Sequence, residues 1–137
     1  MAEFVFKEMV KNYGQSAAWN IDSAGFVDWN EGSSPEELVE IVLSENSIPV
    51  GEHRARKIQN SDFNDFDYIL SLDEDVMGQL VKQKPKDSRA KLELLRQYDP
   101  AQEIINDPYC GSKADYEKVF RQCNVCLPNF LEAANKK

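Results

Sequence analysis

Basic residues, histidine, cysteine and long apolar runs are all scarce in this chain. Lysine and arginine number 16 against 24 aspartates and glutamates, leaving a net charge of −8. With no basic stripe to displace counterions from phosphates, a nucleic-acid partner is not expected. A local anion pocket stays open, because backbone N–H groups bind phosphate without net positive charge. No apolar stretch approaches the ~18 residues that cross a bilayer, so no membrane partner is expected either. Met1-Ala2-Glu3 is not the basic opening of a secretory signal. The three cysteines, Cys110, Cys123 and Cys126, are an odd number without such a signal. They read as reduced thiols in the cytoplasm. Cys123-x-x-Cys126 lacks two further zinc ligands, since the sole histidine is His53. At i and i+3 of a helical pattern, the pair reads as two buried thiols. No metal site is expected.

What is present is an ordinary globular composition, 42% hydrophobic and 29% charged over 137 residues, which favours one domain across 1–137. Phe4, Phe6, Met9, Val10 and Tyr13 trace the apolar face of a helix that stops near Gly14. Trp19 to Ala24 alternates like a short strand. Ser34, Pro35 and Glu37 spell a capped helix start, followed by Leu38, Val39, Ile41, Val42 and Leu43. His53 to Ile58 reads as a polar edge strand or extended loop. Asn60-Ser61-Asp62 marks another helix start. Asp67 to Leu72 is the clearest buried strand, with Asp73 and a helix over Glu74 to Lys82 behind it. Ala90 to Leu95 is a last short strand, and Asp115 to Ala134 a long closing helix. This alternation predicts an α/β domain with a mostly parallel sheet.

Between the last strand and the closing helix lies Asp107-Pro108-Tyr109. An aspartate before proline is held out of the helical region and projects from a fixed turn. Two readings stay open from the residues alone: a plain Asp-Pro turn, or a carboxylate presented to a cleft.

In this order, the blocks Asp22-Ser23-Ala24, Phe66-Asp67-Tyr68-Ile69-Leu70, Asp73-Glu74, Lys91 to Leu95 and Asp107-Pro108-Tyr109-x-Gly111 closely resemble the low-molecular-weight protein tyrosine phosphatases, from Met1 to about Leu131. The resemblance implies a flavodoxin-like parallel sheet with helices on both faces. It also implies phosphotyrosine proteins or small aryl phosphates as substrates, and a reaction that needs no cofactor. In that chemistry a thiolate in a Cys-x5-Arg loop attacks phosphorus, and an aspartate protonates the leaving phenolate, then activates water. By the match, Asp107 is the proton donor, Tyr109 lines the substrate ring and Trp29 walls the pocket mouth. His53 and Asp73 brace the phosphate loop. Each has a plainer rival: Trp29 as a surface aromatic, His53 on an exposed strand, Asp73 as a helix cap, Tyr109 as packing beside the turn.

The family chain opens with a hydrophobic strand and the Cys-x5-Arg loop, and this chain opens inside the following helix. No Cys-x5-Arg spacing occurs in it: six positions after Cys110, Cys123 and Cys126 stand Tyr116, Asn129 and Glu132. The expectation is an N-terminally truncated domain, with its first, central strand missing and its nucleophile absent. Losing a nucleophile from a concerted set costs about 10⁶ in rate, so the chain itself is expected to be inactive. A lost central strand would remove about four or five apolar residues at roughly 1.5–3 kcal/mol each. It would also leave strand edges open to self-association. The alternative is a catalytically dead variant that acts as a binding or competing module.

Overall fold

The computed structural model describes residues 1–25, 37–50, 56–106 and 112–136. They fall into two compact units, Met1–Lys57 with Pro108–Asn124, and Ile58–Asp107 with Val125–Lys137.

In the first unit, α1 spans Ala2–Asn12. It ends as Gly14 predicts: glycine takes φ 70°, Gly14 N–H donates to the Lys11 carbonyl and Gln15 N–H to that of Val10. This paired closure needs a left-handed residue, and glycine adopts that conformation without a Cβ clash. The expected Phe4, Phe6 and Val10 are buried, but the buried face is broader at its start and stops short of Tyr13. Phe4, Val5 and Phe6 are all buried, whereas Tyr13 is 61% exposed. Three consecutive buried residues sweep more than half of the helix circumference, so the first turn is enclosed on two sides. Tyr13 lies past the last turn, where the 3.6-residue period no longer sets direction.

α2 spans Glu37–Glu45, and the Ser34–Pro35 start expected for it lies outside the described residues. It closes like α1, with Ser47 N–H donating to Ser44 and Ile48 N–H to Leu43. Here a serine occupies the left-handed position, at φ 60°. Trp19 to Ala24, expected as a strand, forms no ladder among the described residues. Pairing is reduced to one parallel bridge, Gly25 with Lys57. The polar groups of that stretch bond to side chains instead: Asp22 accepts from Ser23 N–H and from Arg56.

In the second unit, α3 is a single turn, Asp62–Asp65. A β–α–β run follows: β1 Tyr68–Ser71, α4 Glu74–Gln83 and β2 Lys91–Leu94. β1 and β2 pair in parallel, Tyr68 opposite Lys91 through Ser71 opposite Leu94. The α/β class with parallel strands is thus observed. β1 is less buried than its apolar run suggests. Only Ser71 is buried, and Tyr68, Ile69 and Leu70 are half-buried. β1 has one ladder partner among the described residues, and a strand needs covered edges and both faces packed to be enclosed.

α5, Lys113–Asn135, runs through both units. Its start is a reciprocal cap that the sequence reading passed over. Ser112 N–H donates to the Asp115 carboxylate, and Asp115 N–H to the Ser112 hydroxyl. Tyr116, Val119, Cys123, Cys126, Leu127, Phe130 and Leu131 are buried along it. The two thiols expected to be buried in this helix are both found so.

Candidate functional site

In a parallel β–α–β run, ligands collect at the carboxyl ends of the strands, where helix N-termini point their N–H groups. Of the residues assigned by resemblance, Asp73 is placed by the structure, and it sits at that end of β1. Its backbone is extended, and its Oδ1 accepts the N–H of Val76 at 2.8 Å. Its carbonyl accepts the Ser71 hydroxyl at 2.6 Å. Asp73 therefore caps α4, the plainer of its two readings, and the Ser71 bond fixes the strand-to-helix corner that presents it. One residue on, Glu74 pairs with Arg96 of the 3-10 turn Leu95–Tyr98.

Trp29, His53, Asp107 and Tyr109 lie outside the described residues. The structure does set the stems of the segments that carry the first two. Gly25 N–H donates to the Arg56 carbonyl at 2.9 Å, and Arg56 Nε lies 3.0 Å from Asp22 Oδ2. This brings the residue before the Trp29 segment beside the residue after the His53 segment. The segment holding Asp107 and Tyr109 leaves buried Ile105 and ends at the Ser112–Asp115 cap.

A network missed by the sequence reading links the family-like Asp22-Ser23 pair to the first turn of α1. Glu3, with its side chain 3% exposed, accepts the Ser23 hydroxyl at 2.7 Å and Lys7 Nζ at 2.8 Å. A carboxylate in the first turn is favoured by the helix dipole. The signal available was an acidic residue on the buried side of an apolar helix face, which demands a partner. Beside it, burial lowers the pKa of the Met1 amine, opposed by the Cys123 thiol and Glu3.

Two other features carry no phosphoryl chemistry. The outer face of α2 lines an open depression of about 420 Å³ with Glu37, Glu40, Ile41, Ser44 and Glu45, and its carboxylates repel a phosphate dianion. Cys126 is an inert thiol: burial, then the Asp99 carboxylate, pushes its pKa up to about 11, away from the thiolate that a nucleophile requires. Among the described residues no cluster of metal-ligating side chains occurs, and no helix is long and apolar enough to cross a membrane.

A family model, low molecular weight phosphotyrosine protein phosphatase, matches residues 1–137. The protein of that name from Sus scrofa is 42% identical over 135 residues, covering 96% of this chain and 85% of the relative. The Homo sapiens protein is 38% identical over 138 residues, covering 98% and 87%. A crystal structure of a protein tyrosine phosphatase from Entamoeba histolytica superposes with a TM-score of 0.92 at 23% identity, covering 98% of this chain and 87% of that one. The last likeness speaks for the fold. The family match along the whole chain and the identity to these relatives establish descent: the chain belongs to the low molecular weight phosphotyrosine protein phosphatase family.

Proposed function

We propose that this chain derives its function from hydrolysis of phosphotyrosine and small aryl phosphate monoesters, and that Asp107 is the general acid of that reaction. The observation that carries the reading is the family match over residues 1–137. Within it, Asp107-Pro108-Tyr109 stands in the sequence of the acid loop. In this reading Asp107 protonates the leaving phenolate and then activates water against a phospho-cysteine. Tyr109 and Trp29 hold the aromatic ring. His53 and Asp73 brace the phosphate-binding segment. An odd number of cysteines suits a reduced cytoplasmic setting, and the phospho-cysteine chemistry of the family needs no cofactor.

The 137 residues contain no Cys-x5-Arg. A general acid contributes about 10²–10⁴ only when a nucleophile attacks. We therefore infer that these residues by themselves do not turn over. The test is hydrolysis of an aryl phosphate by the 137-residue chain, beside the same chain preceded by a strand and Cys-x5-Arg loop taken from a relative. A silent parent and an active extended chain, whose rate drops at least 10²-fold on Asp107→Asn, is the expected result. Turnover by the parent would refute the account of the nucleophile. Binding of a phosphotyrosine peptide by the silent, folded 137-residue chain would favour the alternative, a binding or competing module.

A further inference from the structure

Basic residues are scarce here, yet five of the 16 fall between Val81 and Lys91. Lys82, Lys84, Lys86, Arg89 and Lys91 are offset by one acid in that segment, Asp87, so it carries +4 in a chain of −8. All five are exposed, and all belong to the second unit. Two are engaged: Arg89 lies 3.4 Å from the Asp67 carboxylate, and the Lys91 ammonium 5.8 Å from the centre of the Tyr68 ring. The ammonium groups of Lys82, Lys84 and Lys86 form no ion pair or hydrogen bond among the described residues. Elsewhere Lys7, Arg56, Arg96 and Lys113 each meet a carboxylate. The helix dipole favours a cation in the last turn of α4 and accounts for Lys82. It falls off before Lys86, two residues past the cap at Lys84.

The backbone that carries these lysines is held at both ends. Before the turn, Gln83 Nε2 donates to Asn60 Oδ1 at 3.2 Å. After it, the carbonyl of buried Phe63 accepts the Ser88 hydroxyl and the Ala90 N–H, each at 3.0 Å. Pro85 keeps Lys84 extended, at φ −54° and ψ 121°, and its carbonyl accepts the Ser88 N–H at 3.2 Å. A ligand would therefore have little backbone to order. Beside Lys82, Val81 is 60% exposed. Gly78, one turn earlier, leaves open space where a Cβ would stand, so that turn gives the valine no side-chain cover. The surface lies at the amino-terminal end of β2. Asp73 lies at the carboxyl end of β1, with the ten residues of α4, about 15 Å of helix, between them.

We propose that Lys82, Lys84 and Lys86, with Val81 beside them, bind a short acidic segment of a partner protein that carries apolar residues among its carboxylates. The footprint suits a short segment. Outside residues 81–91 the chain holds 11 basic residues (16 less five) against 23 acidic ones (24 less one). An anion that runs far past the patch, such as duplex DNA or a lipid surface, is repelled by that excess wherever it passes within a Debye length, about 8–10 Å. A segment of a few residues gains the attraction and ends before the repulsion begins. This binding needs no nucleophile, so it stands or falls separately from the hydrolysis proposed above.

Fluorescence anisotropy of the 137-residue chain with a short labelled peptide of alternating glutamate and leucine tests it. Saturable binding is expected at about 50 mM salt, weakened at least about 10-fold at about 300 mM. A peptide with glutamine in place of glutamate should not bind. The triple variant Lys82→Gln, Lys84→Gln, Lys86→Gln should lower the affinity at least about 10-fold. The triple variant Lys11→Gln, Lys118→Gln, Lys136→Gln changes the net charge equally and should leave it within about 2-fold. All six positions are exposed, so the fold is kept in both. Val81→Ser should weaken binding at least about 3-fold, and no change would overturn the part given to Val81. No saturable binding at low salt, equal loss in the two triple variants, or equal binding of the glutamine peptide would overturn the proposal. So would tighter binding to phosphatidylserine vesicles or duplex DNA than to the acidic peptide.

Discussion

Glu3 holds the hydroxyl of Ser23 at 2.7 Å across twenty residues of chain, and the carboxylate that does so is nearly sealed from solvent. A buried carboxylate is stable only while donors surround it. Ser23→Ala removes one of them and should cost about 1.5–3 kcal/mol, the range for a hydrogen bond to a charged group. Ser23→Thr keeps the hydroxyl and should cost less. Urea unfolding midpoints decide the matter, and an alanine variant within ~0.5 kcal/mol of the parent would show that the bond contributes nothing net.

Asp73 caps α4 through one oxygen, and asparagine caps nearly as well. Asp73→Ala should therefore lower stability by about 0.5–2 kcal/mol, while Asp73→Asn should change it little. Equal losses in both variants would mean that the negative charge itself is needed, beyond the cap.

Ser47 occupies the left-handed position that Gly14 fills after α1. A side chain there costs about 1 kcal/mol or more, partly offset in glycine by the greater freedom of its unfolded chain. Ser47→Gly should stabilise by roughly 0.5–1 kcal/mol. Thermal unfolding reads this directly, and a lower melting temperature for the variant would contradict the assigned conformation.

Alkaline pH should weaken the fold through Cys126. Burial, then Asp99, raises its thiol from 9.0 to about 11 in the folded chain. The unfolded chain thus releases this proton first. Stability is intact below pH 9 and falls as pH rises from 9 to about 11, by at most ~2–3 kcal/mol for a two-unit shift. Tyr98 adds to the loss above pH 10, because burial and its bond to Glu93 raise its pKa also. Cys126→Ala should flatten the decline between pH 9 and 10 in a series of urea titrations. An unchanged slope would remove Cys126 as its cause.

Features written in local chemistry were legible in the sequence. The stop of α1 at Gly14, the cap at Asp73, the β1 and β2 segments and the buried thiols of α5 each need only a few neighbouring residues to be read. Long-range features were not. Trp19 to Ala24 has the alternation of a strand, yet laddering requires a partner, and alternation says nothing about where one lies. Tyr13 continues an apolar pattern past a helix end, where periodicity loses its meaning. The Glu3–Ser23 bond joins residues that no pattern pairs, and Pro128 sits inside a helix against its own propensity because buried neighbours on both sides hold the helix together. Of the candidate site, Asp73 was legible down to its capping role. The roles of Trp29, His53, Asp107 and Tyr109 rest on the family match, because a turn sequence states where a side chain is and leaves open what faces it.

Trp19 packs edge to face on Phe6, with ring centroids 5.1 Å apart and planes at 89°, and its indole N–H reaches the Gln15 amide oxygen. The chain has two tryptophans, Trp19 and Trp29. Replacing Trp29 with phenylalanine thus leaves one indole chromophore, held in a fixed aromatic couple against α1. Its near-ultraviolet dichroism is a built-in optical gauge of whether that helix is docked, readable without any label.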